Sequence, residues 1–270
     1  MLLGVHGRRT PGPGETFWQF RSYVAGEPAR QIDWRRSARD RHLYVREREW
    51  EASQTVWLYA DLSPSMEVRS ALAADSKLDR AVVLLLALAE MLSRGGERVG
   101  VPGLVEPRIG RDNAERIARA LAQNPQLAEW PALDRVKRSS ELVMLSDCLS
   151  DTATMQARIQ DVGVRGTMLN LIQIFDPAEE TFPYRGRLEF RDPETGEISL
   201  VERAETLRGG YLERLAAHRE AIRSTCRKAG FGFLVHHTDR PASEGLLMLH
   251  AGLTGSAQHL GQAAHRRSAA

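Results

Sequence analysis

The chain has 270 residues, 42% of them hydrophobic and 27% charged, which suits one large α/β domain with an appended segment or two small domains. A formal net charge of +2 is too small to argue for nucleic acid or a membrane surface as partner. Two cysteines, Cys148 and Cys226, exclude a disulfide framework and a cysteine zinc cluster.

The longest apolar run, Val82–Ala89, is too short to span a bilayer, and the N-terminus carries no signal-peptide pattern. A soluble, cytoplasmic chain with reduced thiols is therefore expected. Its positive charge is uneven: residues 1–50 hold ten arginines against six acids, and the lysines are Lys77, Lys137 and Lys228. Guanidinium groups make forked pairs with carboxylates or phosphates, so specific ion pairing is open to this chain.

In chain order, residues 1–16 are rich in Gly, Pro and Arg and read as an irregular lead-in. Residues 17–50 alternate aromatics with charge, from Phe17-Trp18 through Trp34 to Trp50. Leu43–Arg46 and Thr55–Ala60 are strand-like in their β-branched and aromatic content. Ser76 with Asp79 makes a capping box. Leu78, Val82, Leu85, Leu86, Ala89 and Leu92 follow at helical spacing, and Gly95-Gly96 supply the stop. Glu97–Val101 reads as a short strand and Asn113–Ala122 as a helix with Ile117 and Leu121 on one face.

Further strands are predicted at Glu141–Ser146, Met168–Phe175 and Phe231–His236, with helices at 152–162, 208–229 and 242–253. Strands separated by helices imply right-handed crossovers and a mostly parallel sheet. Leu188–Phe190 and Glu197–Val201, joined by Asp192-Pro193-Glu194-Thr195-Gly196, read as a β-hairpin inserted near 185–203. A small-residue, basic, flexible tail runs from 261 to 270.

Four predicted strands end in or near an acid: Asp61, Asp147, Asp176 and Asp239. In a parallel sheet these gather on one rim, where ligands of open α/β sheets bind. Asp176 and Asp239 read as helix caps. Asp61 differs, because Ser63 and Ser65 follow it in one turn and make an all-oxygen cluster suited to a hard cation such as Mg²⁺ or Mn²⁺. Asp147 is the partner acid across the rim, with Asp151 as a nearby substitute.

The arginine-rich stretch 30–48 is either a docking or phosphate-binding strip, with Trp34 and Tyr44 as platforms, or an ion-paired cap using Asp33, Asp40, Glu47 and Glu49. The close interleaving of acids favours the cap. Phe17, Trp18, Trp34 and Trp50 read as packing anchors, and Cys148 as structural. His236 and His237 are adjacent on a strand, so they face opposite ways and make no metal pair. No Gly-x-Ser-x-Gly elbow or phosphate loop occurs, so a nucleotide would have to belong to a partner.

Asp61-x-Ser63-x-Ser65 with Ser146-Asp147 resembles the metal-ion-dependent adhesion site of von Willebrand factor A domains. The stretches Phe17–Tyr23, Ala25–Arg39 and Leu43–Glu47 resemble the signature of the bacterial DUF58 family, as do Asp176-Pro177-Ala178-Glu179, Asp192–Glu197 and Thr238-Asp239. The resemblance covers roughly residues 15–253. It implies an N-terminal signature segment (1–50) followed by a von Willebrand A-like domain (51–260). It also implies a non-enzymatic protein-binding adaptor that partners a MoxR-type AAA+ ATPase and its client proteins, without nucleic acid. Carried over by position, Asp61, Ser63, Ser65 and Asp147 hold the metal; in the docking reading of the arginine-rich stretch, Arg30, Asp33, Trp34, Arg35 and Arg39 are candidates for partner contact. The chain departs from the adhesion pattern in having no threonine between Thr55 and Thr152, which leaves Asn113, Asn124 or a water to substitute.

Two rival readings use the same residues. One is a metal-dependent phosphoesterase or nuclease in which Arg35, Arg36 and Arg39 hold phosphate. The other is a scaffold whose metal site has degenerated.

Overall fold

The computed structural model describes residues 8–12, 16–24, 28, 32–124 and 128–253, which fall into two compact units, 8–54 and 55–253. The expected tail at 261–270 lies outside the described residues.

The smaller unit is a three-stranded antiparallel sheet of β1 (Arg8–Gly12), β2 (Thr16–Ser22) and β3 (Tyr44–Ala52), in the order β1-β3-β2. Pro11 and Gly12 are turn residues, which is why 1–16 reads as irregular. Here both lie on an edge strand, where a missing N–H costs no ladder bond on the open side. A short helix, α1 (Trp34–Ser37), is capped by Asp33, whose carboxylate accepts from the Arg36 N–H at 2.9 Å.

The larger unit carries a six-stranded sheet ordered β11-β8-β7-β4-β5-β6. Its members are β4 (Thr55–Ala60), β5 (Arg98–Val101), β6 (Val105–Arg108), β7 (Glu141–Ser146), β8 (Met168–Phe175) and β11 (Gly232–His237). Every pairing is parallel except β5 with β6. Strand β6, unforeseen in the sequence because Pro107 interrupts it, is again an edge strand. The central strands are apolar throughout because both faces are covered, as parallel sheets require. Leu58, Val143, Met144, Leu145 and Leu171 are fully buried.

Helix α2 (Lys77–Arg94) starts at the Ser76/Asp79 capping box and ends at Gly95-Gly96, with Gly96 left-handed. It packs with α3 (Asn113–Gln123), while α4 (Thr152–Val164) packs with α6 (Arg208–Ala229), so two helix pairs flank the sheet. A one-turn helix, α5 (Pro177–Thr181), follows β8, and residues 242–253 are helical. The inserted hairpin is β9 (Leu188–Arg191) and β10 (Ile198–Val201). It rests on an aromatic cluster in which Phe190 stacks on Phe182 at 6.0 Å and Phe182 meets Tyr211 of α6 at 4.8 Å. This is the von Willebrand A-like α/β architecture, with an N-terminal β-rich extension and an inserted hairpin.

Candidate functional site

Adjacent parallel strands β4, β7 and β8 end at Ala60, Ser146 and Phe175, so Asp61, Asp147 and Asp176 leave the sheet side by side on one rim. All three are buried. Asp176 caps α5, accepting from the Ala178 N–H at 2.8 Å, and its other oxygen accepts from the Ser70 N–H at 2.8 Å. Asp239, expected as a cap, instead sits exposed in the turn after β11 with no capping bond, because the helical residues start beyond Pro241.

Asp61 is wholly buried. One carboxylate oxygen accepts from the Ser63 N–H at 2.9 Å and the other from the Ser146 hydroxyl at 2.8 Å. Burial pushes its pKa up to about 6, against the pull of the Ser63 and Ser146 hydrogen bonds, with the Asp147 charge adding to the rise. The hydroxyls of Ser63 and Ser65 lie 3.2 Å apart. The two serine hydroxyls therefore meet, and Asp61 reaches the same turn through the Ser63 N–H.

Asp147 meets a group the sequence reading did not assign to the site. The ammonium of Lys77, the first residue of α2, donates to Asp147 Oδ2 at 2.9 Å and to Glu179 Oε1 at 2.7 Å. Lys77 is completely buried. Burial works against its charge, but the two carboxylates outweigh that and hold its pKa above the ordinary lysine value. The other Asp147 oxygen accepts from the Leu149 N–H at 3.2 Å, and its backbone carbonyl accepts from Gln173 at 2.9 Å. Gln173 in turn takes a bond from Arg219, which makes a forked pair with Glu180 of α5. The loop after Asp147 is pinned further by His218, whose Nε2 lies 2.7 Å from the Cys148 carbonyl.

A cleft of about 390 Å³ opens here, with Ser65, Lys77, Glu129, Asp147, Asp192 and Glu194 in its lining. Glu129 pairs with Arg158 at 2.9 Å. Asp192 and Glu194 come from the hairpin turn, and Glu194 accepts from the Ser65 N–H at 2.9 Å, so the insert reaches the Asp61 turn directly. With Glu179 the lining presents five carboxylates to one ammonium.

The N-terminal candidates belong to the other unit. Trp34 is 62% exposed and so is not the packing anchor expected. Arg35 and Arg39 are also exposed, and Arg30 lies outside the described residues. Asp33 caps α1 and Asp40 accepts from the Tyr44 hydroxyl at 2.7 Å. Arg36 lies over the rings of Phe20 and Tyr44.

Residues 19–221, well over half of the chain, match the family described as DUF58, protein of unknown function. The chain belongs to the DUF58 family. Uncharacterized relatives in Mycobacterium tuberculosis and Mycobacterium bovis are each 28% identical over 257 residues, covering 89% of this chain and 80% of the relative. Among solved structures, an aerotolerance-related membrane protein from Bacteroides fragilis aligns at a TM-score of 0.42 and 16% identity, over 75% of this chain and all of that one. BatB from Bacteroides thetaiotaomicron aligns at a TM-score of 0.40 and 14% identity, over 79% and 100% of the two chains.

The carboxylate oxygens of this DUF58 rim are engaged within the chain. Both Asp61 oxygens already accept protein hydrogen bonds, and both Asp147 oxygens do as well, one of them from an ammonium. Asn113, expected as a substitute for the missing threonine, accepts from Arg116 at its carbonyl oxygen at 2.8 Å, while its amide nitrogen donates to Ser93 and to the carbonyls of Arg108 and Gly110. Asn124 donates to the Ala120 carbonyl at 2.9 Å. Among the described residues no three His, Cys, Asp or Glu side chains converge on one point.

Lys77, Glu129, Glu179 and Glu194 are thus the site residues that the sequence reading missed. The available signal was Lys77 itself, one of three lysines in an arginine-rich chain and placed at a helix start, where a cation is disfavoured by the helix dipole.

Proposed function

We propose that this chain is a non-enzymatic protein-binding adaptor whose contact site is the cleft at the carboxyl rim of the sheet. Its partner is a MoxR-type AAA+ ATPase, and the pair acts in the maturation or assembly of protein complexes. The observation that carries this reading is a cleft whose chemically active groups are committed to one another. The Ser63 and Ser65 hydroxyls bond each other, the Asp61 carboxylate beside them is taken up by the Ser63 N–H and the Ser146 hydroxyl, and among the described residues no imidazole bonds either serine. Burial raises the Cys148 thiol well above its usual pKa, which keeps it an inert thiol. What remains is a recessed surface with fixed charges on a rigid sheet, which serves recognition.

The phosphoesterase reading finds no comparable support. A cleft lined by five carboxylates and one ammonium repels phosphate. No helix of the described residues is long and apolar enough to cross a membrane.

Calorimetric titration of the chain with the MoxR-type ATPase tests the proposal. Asp192→Arg and Leu149→Arg, both at exposed cleft positions, are expected to weaken binding roughly tenfold or more. Binding that both variants leave unchanged refutes the site, and a complete lack of binding refutes the partner.

A further inference from the structure

We propose that Lys77 is the resident cation of this rim, supplying from within the chain the positive charge that an adhesion site of this kind takes from a divalent metal. The rim therefore forms and works without metal. As a mode of partner contact this rests on the adaptor reading above; the metal independence itself does not.

The argument starts from local cost. A lysine at the first position of a helix faces the positive end of the helix dipole, and a fully buried ammonium loses its hydration. Such a residue is stable only where anions outweigh both effects. Here two do, at 2.9 Å and 2.7 Å, and they come from separate elements: Asp147 from the end of β7 and Glu179 from α5. Glu179 is itself fixed, since its second oxygen accepts from the Asp176 N–H at 3.0 Å in the α5 capping box. The ammonium thus joins the starts of two helices to the end of a central strand.

The charge at this point is already arranged. Asp147, the acid that would neutralise a metal across the rim from Asp61, is paired with the ammonium, and Asp61 is satisfied by a backbone N–H and a hydroxyl. A divalent ion entering between Asp61 and Asp147 would have to compete with a buried positive charge for the same carboxylate. The second-loop threonine hydroxyl that would complete its coordination is missing, and the carbonyl oxygen of Asn113, one candidate to replace it, accepts from Arg116 at 2.8 Å. The ammonium stays wholly buried behind the cleft wall, so it sets the charge of the rim from within and does not itself touch a partner.

The test titrates Mg²⁺ and Mn²⁺ into the full chain by calorimetry and measures its melting temperature with and without EDTA. Under this proposal neither metal gives saturable heat, and EDTA leaves the melting temperature unchanged. Saturable binding that Asp61→Ala abolishes, or a melting temperature lowered by EDTA, overturns it. Lys77→Met keeps the length and removes the charge. It is expected to melt well below the wild type, and a variant as stable as the wild type overturns the proposal. If Lys77→Met does not fold at all, the triple variant Lys77→Met/Asp147→Asn/Glu179→Gln removes the stranded charges. Recovery of a folded chain in the triple variant supports the assignment, and failure to recover refutes it. None of these measurements involves the ATPase, so the result stands apart from the fate of the adaptor reading.

Discussion

His236 makes one definable contribution to the acid side of this protein's stability. The side chain is buried, and the Arg80 guanidinium lies 3.1 Å from its Nε2. Because Arg80 can only donate, that nitrogen is the acceptor and the ring is neutral. Burial, then the Arg80 charge and that of His237, push its pKa down from 6.5 to about 4, with only Asp239 opposing. In the unfolded chain the ring takes a proton below its ordinary value; in the folded chain it does not until about two and a half units lower. A depressed folded pKa thus gives stability that is full above the unfolded value and is lost as the pH falls toward the folded one.

The complete loss is about 3 kcal/mol, and at about pH 4.5 it reaches about 2.5 kcal/mol. His236→Gln isolates this effect, since glutamine offers Arg80 an acceptor oxygen and does not titrate. Urea unfolding of both chains is followed from neutral to acid pH, and only the difference between them is read, because other buried acids, Asp61 among them, contribute their own slopes to each. The variant's stability should improve relative to the wild type by about 2.5 kcal/mol between neutral pH and about pH 4.5. A difference that stays constant across this range refutes the reasoning.

Two further outcomes follow from packing and from the rim. Gly100→Ala places a methyl carbon 2.6 Å from the Val105 carbonyl and 2.7 Å from the Pro107 nitrogen, so the β5–β6 hairpin backbone must move, at a cost of about 2 kcal/mol or more in chemical denaturation. Asp61→Ala strands the Ser63 N–H and the Ser146 hydroxyl in a buried place and should cost about 2–4 kcal/mol, equally in EDTA and in Mg²⁺. Chelation that brings the wild type down to the variant's stability would contradict the second.

What could be read from the sequence was what local chemistry decides. The apolar runs at Thr55–Ala60 and Glu141–Ser146 can only be doubly covered strands, and Ser76 with Asp79 announces a helix start. The acids at the strand ends then fall on one rim by topology alone. The edge strands β1 and β6 were hidden because Pro11 and Pro107 speak against a strand unless one knows which side of it is open. The ion pairs of Lys77 were hidden for another reason: its partners stand 70 and 102 residues away, and no spacing rule reaches that far.

The Asp61-x-Ser63-x-Ser65 turn shows why an accurate motif can leave its occupant open. A carboxylate that leaves a buried strand must be satisfied by something, and either a cation or two protein donors will do. Ser63 and Ser146 provide the donors here, and in doing so they tie the end of β4 to the end of β7, continuing the ladder that the Asp61 N–H makes to the Leu145 carbonyl at 2.9 Å. The same residues would serve a metal site, so their identity cannot separate the two cases. The discriminating residue is the one that decides the charge at Asp147. An arginine there would need room for a planar fork, whereas an ammonium fits a point between two carboxylates, and Lys77 reaches that point because α2 begins beside the rim. The meaning of the turn is therefore set by a side chain twelve positions beyond Ser65, whose role emerges only once the sheet has placed Asp147 and Glu179 around it.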